Sequence, residues 1–303
     1  MKKRSIGKSS IQVSELTLGC MSIPNDEKQA HSMIDQALSY GINHLDTADL
    51  YGFGHNEEII GNYIQSRRDQ IILTSKGGNH FNKEKQSWYW DPSPQYIEEA
   101  LHASLRRLKT DYLDFYLLHG GTIDDPIDET IHAFENLKVK GLIRAYGISS
   151  IRPNVIKQFV EKSSIDCIMM QYNMLDRRPE DLFPYLKDND IHVLARGPLA
   201  KGILTDQGPR IVKERGRDGY LSYDERALVK VIDQLIDLTD GQLTAASLAY
   251  ILHEDTIGSA VFGASSTQQI DEVLKAYHIK QDQSLMQDIK ALTKDIQYNQ
   301  HLI

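Results

Sequence analysis

Short apolar runs alternate with amphipathic stretches along the chain. The runs are Leu16–Cys20, Ile42–Asp46, Ile71–Lys76, Tyr112–His119, Ile143–Ser149, Cys167–Tyr172, His192–Arg196 and Ser259–Gly263. Between them, Glu27–Tyr40, Ser93–Leu108, Ile127–Lys138 and Pro153–Lys162 carry apolar residues at helical spacing. Strands that are apolar throughout belong to a sheet covered on both faces, and their alternation with helices makes that sheet parallel. Eight such units in roughly 250 residues predict an α/β fold, a closed (β/α)8 TIM barrel rather than an open sheet. Ahead of the first unit, "RSIGKSSIQVS" reads as a short β-hairpin around Gly7–Ser10, expected to cap the barrel bottom. Gly77–Pro94 and Leu204–Tyr223 are too long for simple connections, as functional loops often are. No linker or low-complexity tract interrupts the pattern, so one domain over residues 1–303 is expected.

Chemistry in such a barrel sits at the C-terminal ends of the strands, where the loops gather. Three of those positions carry Asp46, Lys76 and His119, and Tyr51 lies in the loop after Asp46. A lone Asp at a strand end ordinarily caps the following helix. A carboxylate, an ammonium and an imidazole converging on one mouth imply more. A phenol is a poor acid at neutral pH, and a neighbouring ammonium makes it a better one. The ammonium needs a carboxylate partner in a water-poor cavity. An imidazole can orient an incoming carbonyl or share the proton load. The set Asp46, Lys76, Tyr51 and His119 is therefore suited to protonating a carbonyl oxygen, and a hydride donor would supply the other half of a reduction.

Seven segments together resemble the aldo-keto reductase family. They are "LDTADLYG" to "GHNEEIIG" (Leu45–Gly61), "ILTSKG" (Ile72–Gly77), "SLRRLKTDYLDFYLLH" (Ser104–His119), "IRAYGIS" (Ile143–Ser149), "MMQYN" (Met169–Asn173), "RGPLAKGIL" (Arg196–Leu204) and "GASSTQQIDEVL" (Gly263–Leu274). The resemblance runs over nearly the whole chain, in family order. It implies a catalytic tetrad of Asp46, Tyr51, Lys76 and His119, with Tyr51 as proton donor. It also implies NADPH lying extended across the barrel mouth, and a small carbonyl substrate. Gly19, Cys20 and Met21 would pass close to the cofactor, with Ser149 and Gln171 on the carboxamide. Arg196, Gly197, Leu199 and Lys201 would line it after the seventh strand, and Gly263, Ser265 and Gln269 would hold its adenosine end. Backbone N–H groups at the start of the helix after "GASS" suit an anion, and Ser266 or Thr267 would cap that helix.

Several positions depart from the family pattern. Ser150 replaces the usual Asn, and Arg196 stands where many members stack an aromatic ring on the nicotinamide. Ser265 replaces a basic residue, and Val273 an Asn. NADPH is still expected over NADH, because no acid occupies the Gly263–Ser266 turn to bind free ribose hydroxyls.

The remaining sequence narrows the picture by exclusion. "GFGHNE" (Gly52–Glu57) lacks the third glycine of a dinucleotide fingerprint and reads as a loop. "RRLK" (Arg106–Lys109) reads as a solvated helix end, and the histidines show no metal-binding spacing. Trp88, Tyr89 and Trp90 in the long third loop are read equally as packing or as substrate contacts. A net charge of -8 argues against nucleic-acid or anionic-membrane surfaces. The two cysteines, far apart, suit a reducing cytoplasm, and no stretch approaches a membrane span. Two other readings stay open: an aldolase using Lys76 as Schiff-base nucleophile, and a cofactor-binding regulatory barrel without turnover.

Overall fold

The computed structural model describes residues Met1–Leu302. Eight parallel strands close into a barrel: β1 Leu16–Gly19, β2 His44–Asp46, β3 Ile72–Gly77, β4 Leu113–Leu118, β5 Ile143–Ser149, β6 Cys167–Gln171, β7 His192–Arg196 and β8 Ile257–Gly263. Each strand pairs with its neighbours in chain order, and β8 returns to β1. The apolar runs become these strands with small shifts of boundary. Cys20, His119 and Tyr172 fall just outside them, and β8 starts at Ile257 rather than Ser259.

The expected hairpin pairs Lys3–Ser5 with Gln12–Ser14. It drives Ile6, Ile11 and Val13 against Phe115, Leu117, Ala145, Cys167, Met169, Leu194 and Val261, the inward-facing side chains of the barrel. Gly7 donates its N–H to His192 Nδ1 at the start of β7, so the hairpin plugs the N-terminal end.

Part of the barrel interior is polar. Thr17 Oγ1 bonds His44 Nδ1 at 2.8 Å and Ser259 Oγ at 2.7 Å, while His44 Nε2 bonds Thr74 Oγ1 at 2.7 Å. Burial, with Lys76 adding to it, pulls the His44 pKa down to about 3, so the ring stays neutral. Side chains alternate between faces along a strand, so a residue two beyond an inward position points inward again. From Thr17, His44, Thr74, Leu117, Met169, Leu194 and Val261, that step reaches Gly19, Asp46, Lys76, His119, Gln171, Arg196 and Gly263. The rim of the barrel is the continuation of its interior.

Two stretches read as long loops are structured. Within Gly77–Pro94, Asn79–Asn82 pairs antiparallel with Ser87–Trp90, so Trp88, Tyr89 and Trp90 lie on a strand. Within Leu204–Tyr223, a helix runs over Gly208–Arg215. "GFGHNE" is likewise more than a loop. Its glycines make a tight left-handed turn, and His55 opens a helix to Ile64 that contains Asn56 and Glu57. No helix among the described residues is long and apolar enough to cross a membrane.

Candidate active site

Strand register sets the level of the rim. Gly19 pairs with Asp46, Asp46 with Thr74, Lys76 with Leu117, Gln171 with Arg196, and Gly263 with Gly19. Polar side chains from different strands therefore meet at one height above the packed interior.

Lys76 is at their centre, with a side chain 1% exposed. Its Nζ donates to Asp46 Oδ2 at 2.9 Å, to the Thr47 carbonyl at 2.7 Å and to Tyr51 Oη at 3.3 Å. Asp46 Oδ1 lies 2.8 Å from the same nitrogen as a charge contact without hydrogen-bond geometry. Burial alone would drive the ammonium to deprotonate, but Asp46 and then Tyr51 outweigh it and hold the Lys76 pKa above the ordinary lysine value. Burial pushes the Asp46 carboxyl up, with Lys76 opposing. The ammonium also sits over the Tyr51 ring, 5.0 Å from its centroid.

The loop that carries Tyr51 is tied down on both sides. Thr47 N–H donates to the Thr74 carbonyl and Asp49 N–H to the Lys76 carbonyl, which extends β2 along β3. Thr47 Oγ1 donates to Asn56 Oδ1, and Asn56 Nδ2 donates to the Cys20 carbonyl, joining this loop to the one after β1. Gly54 takes φ +90, and a Cβ there would lie 2.8 Å from Arg107 Cδ. The bare backbone admits Arg107, whose guanidinium pairs with the fully buried Glu57 at 2.7 Å. "RRLK" is thus only partly a solvated helix end: Arg106 is exposed, while Arg107 neutralises a buried carboxylate. Asp49 is buried with neither carboxyl oxygen partnered among the described residues. Burial, then the nearby Glu57, push its pKa well up, with Arg107 and Lys76 opposing.

His119 faces Tyr51 edge-on, with ring centroids 6.0 Å apart. Its backbone N–H donates to the Gly77 carbonyl, and its Nδ1 is buried without a partner among the described residues. Burial, then the charges of Lys76 and Arg196, pull its pKa down to about 3. The ring is neutral. Beside it, Trp90 lies on Gly78 and Gly120, where a Cβ would come within about 3 Å of the indole. Trp90 Nε1 donates to Asp125 Oδ1 at 2.9 Å, fixing the ring as one wall of the mouth.

The other residues expected at the site are spread around the same rim. Gln171 accepts from Arg196 Nη1 through Oε1 at 3.3 Å and donates through Nε2 to Tyr220 Oη at 3.1 Å. Gly197 stands beside the Gln171 side chain. Gly263 faces Ser22 of the first loop, and Ser266 caps the helix Thr267–Tyr277 by accepting from Gln269 N–H. The Ser265 backbone N–H and hydroxyl both turn to Gln269 Oε1, so Gln269 braces the turn. Cys20 is buried, and burial followed by Asp46 raises its thiol pKa, leaving an unreactive packing residue. Ser149, Met21, Leu199 and Lys201 lie at this rim or in its loops, with no side-chain hydrogen bond among the described residues. Thr47, Asn56 and Tyr220 were not singled out from the sequence. Thr47 lies within the motif already read, whereas nothing local to Tyr220 marks it.

The model described as Aldo/keto reductase family matches residues 15–294. The chain is 48% identical to an uncharacterized oxidoreductase of Bacillus subtilis, YqkF, covering 99% of both chains. It is 31% identical to an NADH-specific methylglyoxal reductase of Escherichia coli, over 95% of this chain and 98% of that one. An aldo-keto reductase of Bacillus halodurans in its holo form is 47% identical, with a TM-score of 0.93 and 99% of each chain covered.

Proposed function

The chain belongs to the aldo/keto reductase family, and from that premise we propose that it reduces aldehydes or ketones to alcohols with NADPH, Tyr51 giving the proton. The observation that carries this reading is the buried Lys76 ammonium, hydrogen-bonded at once to Asp46, to the Thr47 carbonyl and to Tyr51. When bound, a nicotinamide cofactor would supply the hydride for the carbonyl carbon. The Tyr51 O–H passes its proton to the carbonyl oxygen, and Lys76 stabilises the negative charge left on the phenol. Asp46 keeps the ammonium charged. His119 is neutral, and the edge of its ring that faces Tyr51 is the part placed to hydrogen-bond a substrate carbonyl. The same contacts disfavour Schiff-base chemistry, because a lysine held protonated by three acceptors has no lone pair to offer.

The residues present fit a nicotinamide dinucleotide. Gln171 offers an oriented amide, and the turn at Gly263–Ser266 places backbone N–H groups at a helix start without an acid nearby. Trp90 adds an apolar wall, which favours carbonyls carrying an apolar substituent. The test is a panel of aldehydes and ketones with each cofactor, run beside Tyr51→Phe. Loss of an essential acid costs about 10²–10⁴-fold in rate. Near wild-type turnover in a Tyr51→Phe protein that binds NADPH normally would refute the assignment.

A further inference from the structure

We propose that Tyr220 is a positioning residue that fixes the amide of Gln171 for the nicotinamide, an inference that rests on the cofactor reading above. Tyr220 lies far from Gln171 in sequence, on the stretch after β7. A tight turn delivers it: Tyr220 and Tyr223 exchange backbone hydrogen bonds at 2.8 and 2.9 Å. Gly219 precedes them at φ +72, where a Cβ would sit 2.2 Å from the Tyr223 carbonyl oxygen. Tyr223 is buried, and its hydroxyl accepts the Lys294 N–H at 2.6 Å. The base of the turn is therefore anchored to the C-terminal part of the chain, and the Tyr220 phenol reaches from it to Gln171 and Asn173.

The hydrogen bonds around that phenol have one consistent solution. Asn173 Oδ1 accepts the N–H groups of Leu175 and Asp176, at 2.9 and 3.0 Å. Its Nδ2 must then be the end that faces the Gly197 carbonyl and Tyr220 Oη, each at 2.9 Å. Arg196 has only donors to offer, so the Gln171 atom beside it must be Oε1, and the one beside Tyr220 must be Nε2. Two amides of fixed orientation thus donate to one phenol oxygen. Burial raises the Tyr220 pKa, which keeps the phenol neutral and its proton in place.

The consequence concerns Gln171. A side-chain amide can turn over and exchange its donor and acceptor ends. Tyr220 and Arg196 together hold Oε1 toward Arg196, as an acceptor for the N–H of a carboxamide. Without the phenol oxygen, only the 3.3 Å contact to Arg196 selects that orientation.

The experiment uses Tyr220→Phe, Gln171→Ala and the double variant, with NADPH as probe. Dissociation constants come from protein-fluorescence quenching, release rates from stopped-flow displacement, and stability from thermal melts. Tyr220→Phe should weaken NADPH binding about tenfold, chiefly through faster release, as expected for losing one or two hydrogen bonds. Because Tyr220 acts through Gln171, the double variant should bind little worse than Gln171→Ala alone. Wild-type affinity and release in Tyr220→Phe would overturn the proposal. So would fully additive losses, or a lowered melt with unchanged release, which mark a merely structural tyrosine. If wild type binds neither NADPH nor NADH, it is the cofactor reading that fails.

Discussion

Replacing Lys76 by methionine separates chemistry from stability. The substitution keeps the length of the stem and deletes the charge and all three hydrogen bonds of Nζ. For the chemistry, at 3.3 Å and an effective dielectric constant of about 20, an ammonium and a phenolate oxygen attract by about 5 kcal/mol. Only part of that charge has developed at the transition state, so a loss of about 10³-fold in the hydride-transfer step is expected. For stability, a buried carboxylate loses its partner, which typically costs about 3–5 kcal/mol. Asp46 can escape by taking up a proton. Burial already raises its pKa and Lys76 opposes that rise, so the folded value climbs further in the variant. A group whose folded pKa is raised favours the folded state at low pH and ceases to do so as pH rises through that value. Lys76→Met should therefore lose most stability at neutral and alkaline pH and least near pH 5. Adding Asp46→Asn removes the stranded charge, so the double variant should regain stability while staying inactive. Urea unfolding across pH and single-turnover reduction of one aldehyde measure the two effects. If the double variant recovers turnover along with stability, Lys76 serves the fold and the proton-transfer role assigned to it is wrong.

Two further outcomes follow from the geometry. Ser265→Arg should raise the kcat/KM preference for NADPH over NADH about tenfold, or about 1.4 kcal/mol, by adding a charge-assisted partner for a 2′-phosphate; an unchanged ratio would place the phosphate elsewhere. His44 has a folded pKa of about 3 against an ordinary 6.5, so the stability it contributes is present above pH 6.5 and lost as pH falls toward 3. His44→Gln should flatten the acid side of the stability curve by about 1.4 kcal/mol per pH unit around pH 5, and parallel urea-unfolding curves for the two proteins would contradict it.

Much of the mouth was legible because a barrel strand has a period of two. Once Thr17, His44 and Thr74 are taken as inward, Gly19, Asp46 and Lys76 must emerge on the inner rim, and the sequence needs no long-range information to say so. His119 follows from Leu117 by the same step. Contacts between distant residues were not legible. Arg107 reaches Glu57 across 50 positions because Gly54 leaves it space, and a helix-end reading considers only the local dipole. Tyr220 meets Gln171 across 49 positions, and Asn173 across 47, through a turn whose place depends on a buried tyrosine and on the C-terminal tail. The hairpin over Asn79–Trp90 did leave a trace: Phe81 and the Trp88–Trp90 run flank the polar Lys83–Gln86 turn. Reading Gly77–Pro94 by length alone hid it.

Closure of the barrel by β8 against β1 has a consequence for biosynthesis. The seam joins the beginning of the chain to its far part: Ala260 N–H donates to the Glu15 carbonyl, and Ser259 Oγ to the Ser14 carbonyl, across 245 positions. At a translation rate of about 5–20 residues per second, β1 leaves the ribosome about 10–50 seconds before β8. Through that interval one edge of the nascent sheet has no partner, and unpaired strand edges are the sites where chains adhere to one another. The hairpin that plugs the barrel is made first but finds its full socket last. The interval before closure, more than the finished fold, is where this chain is most exposed to aggregation.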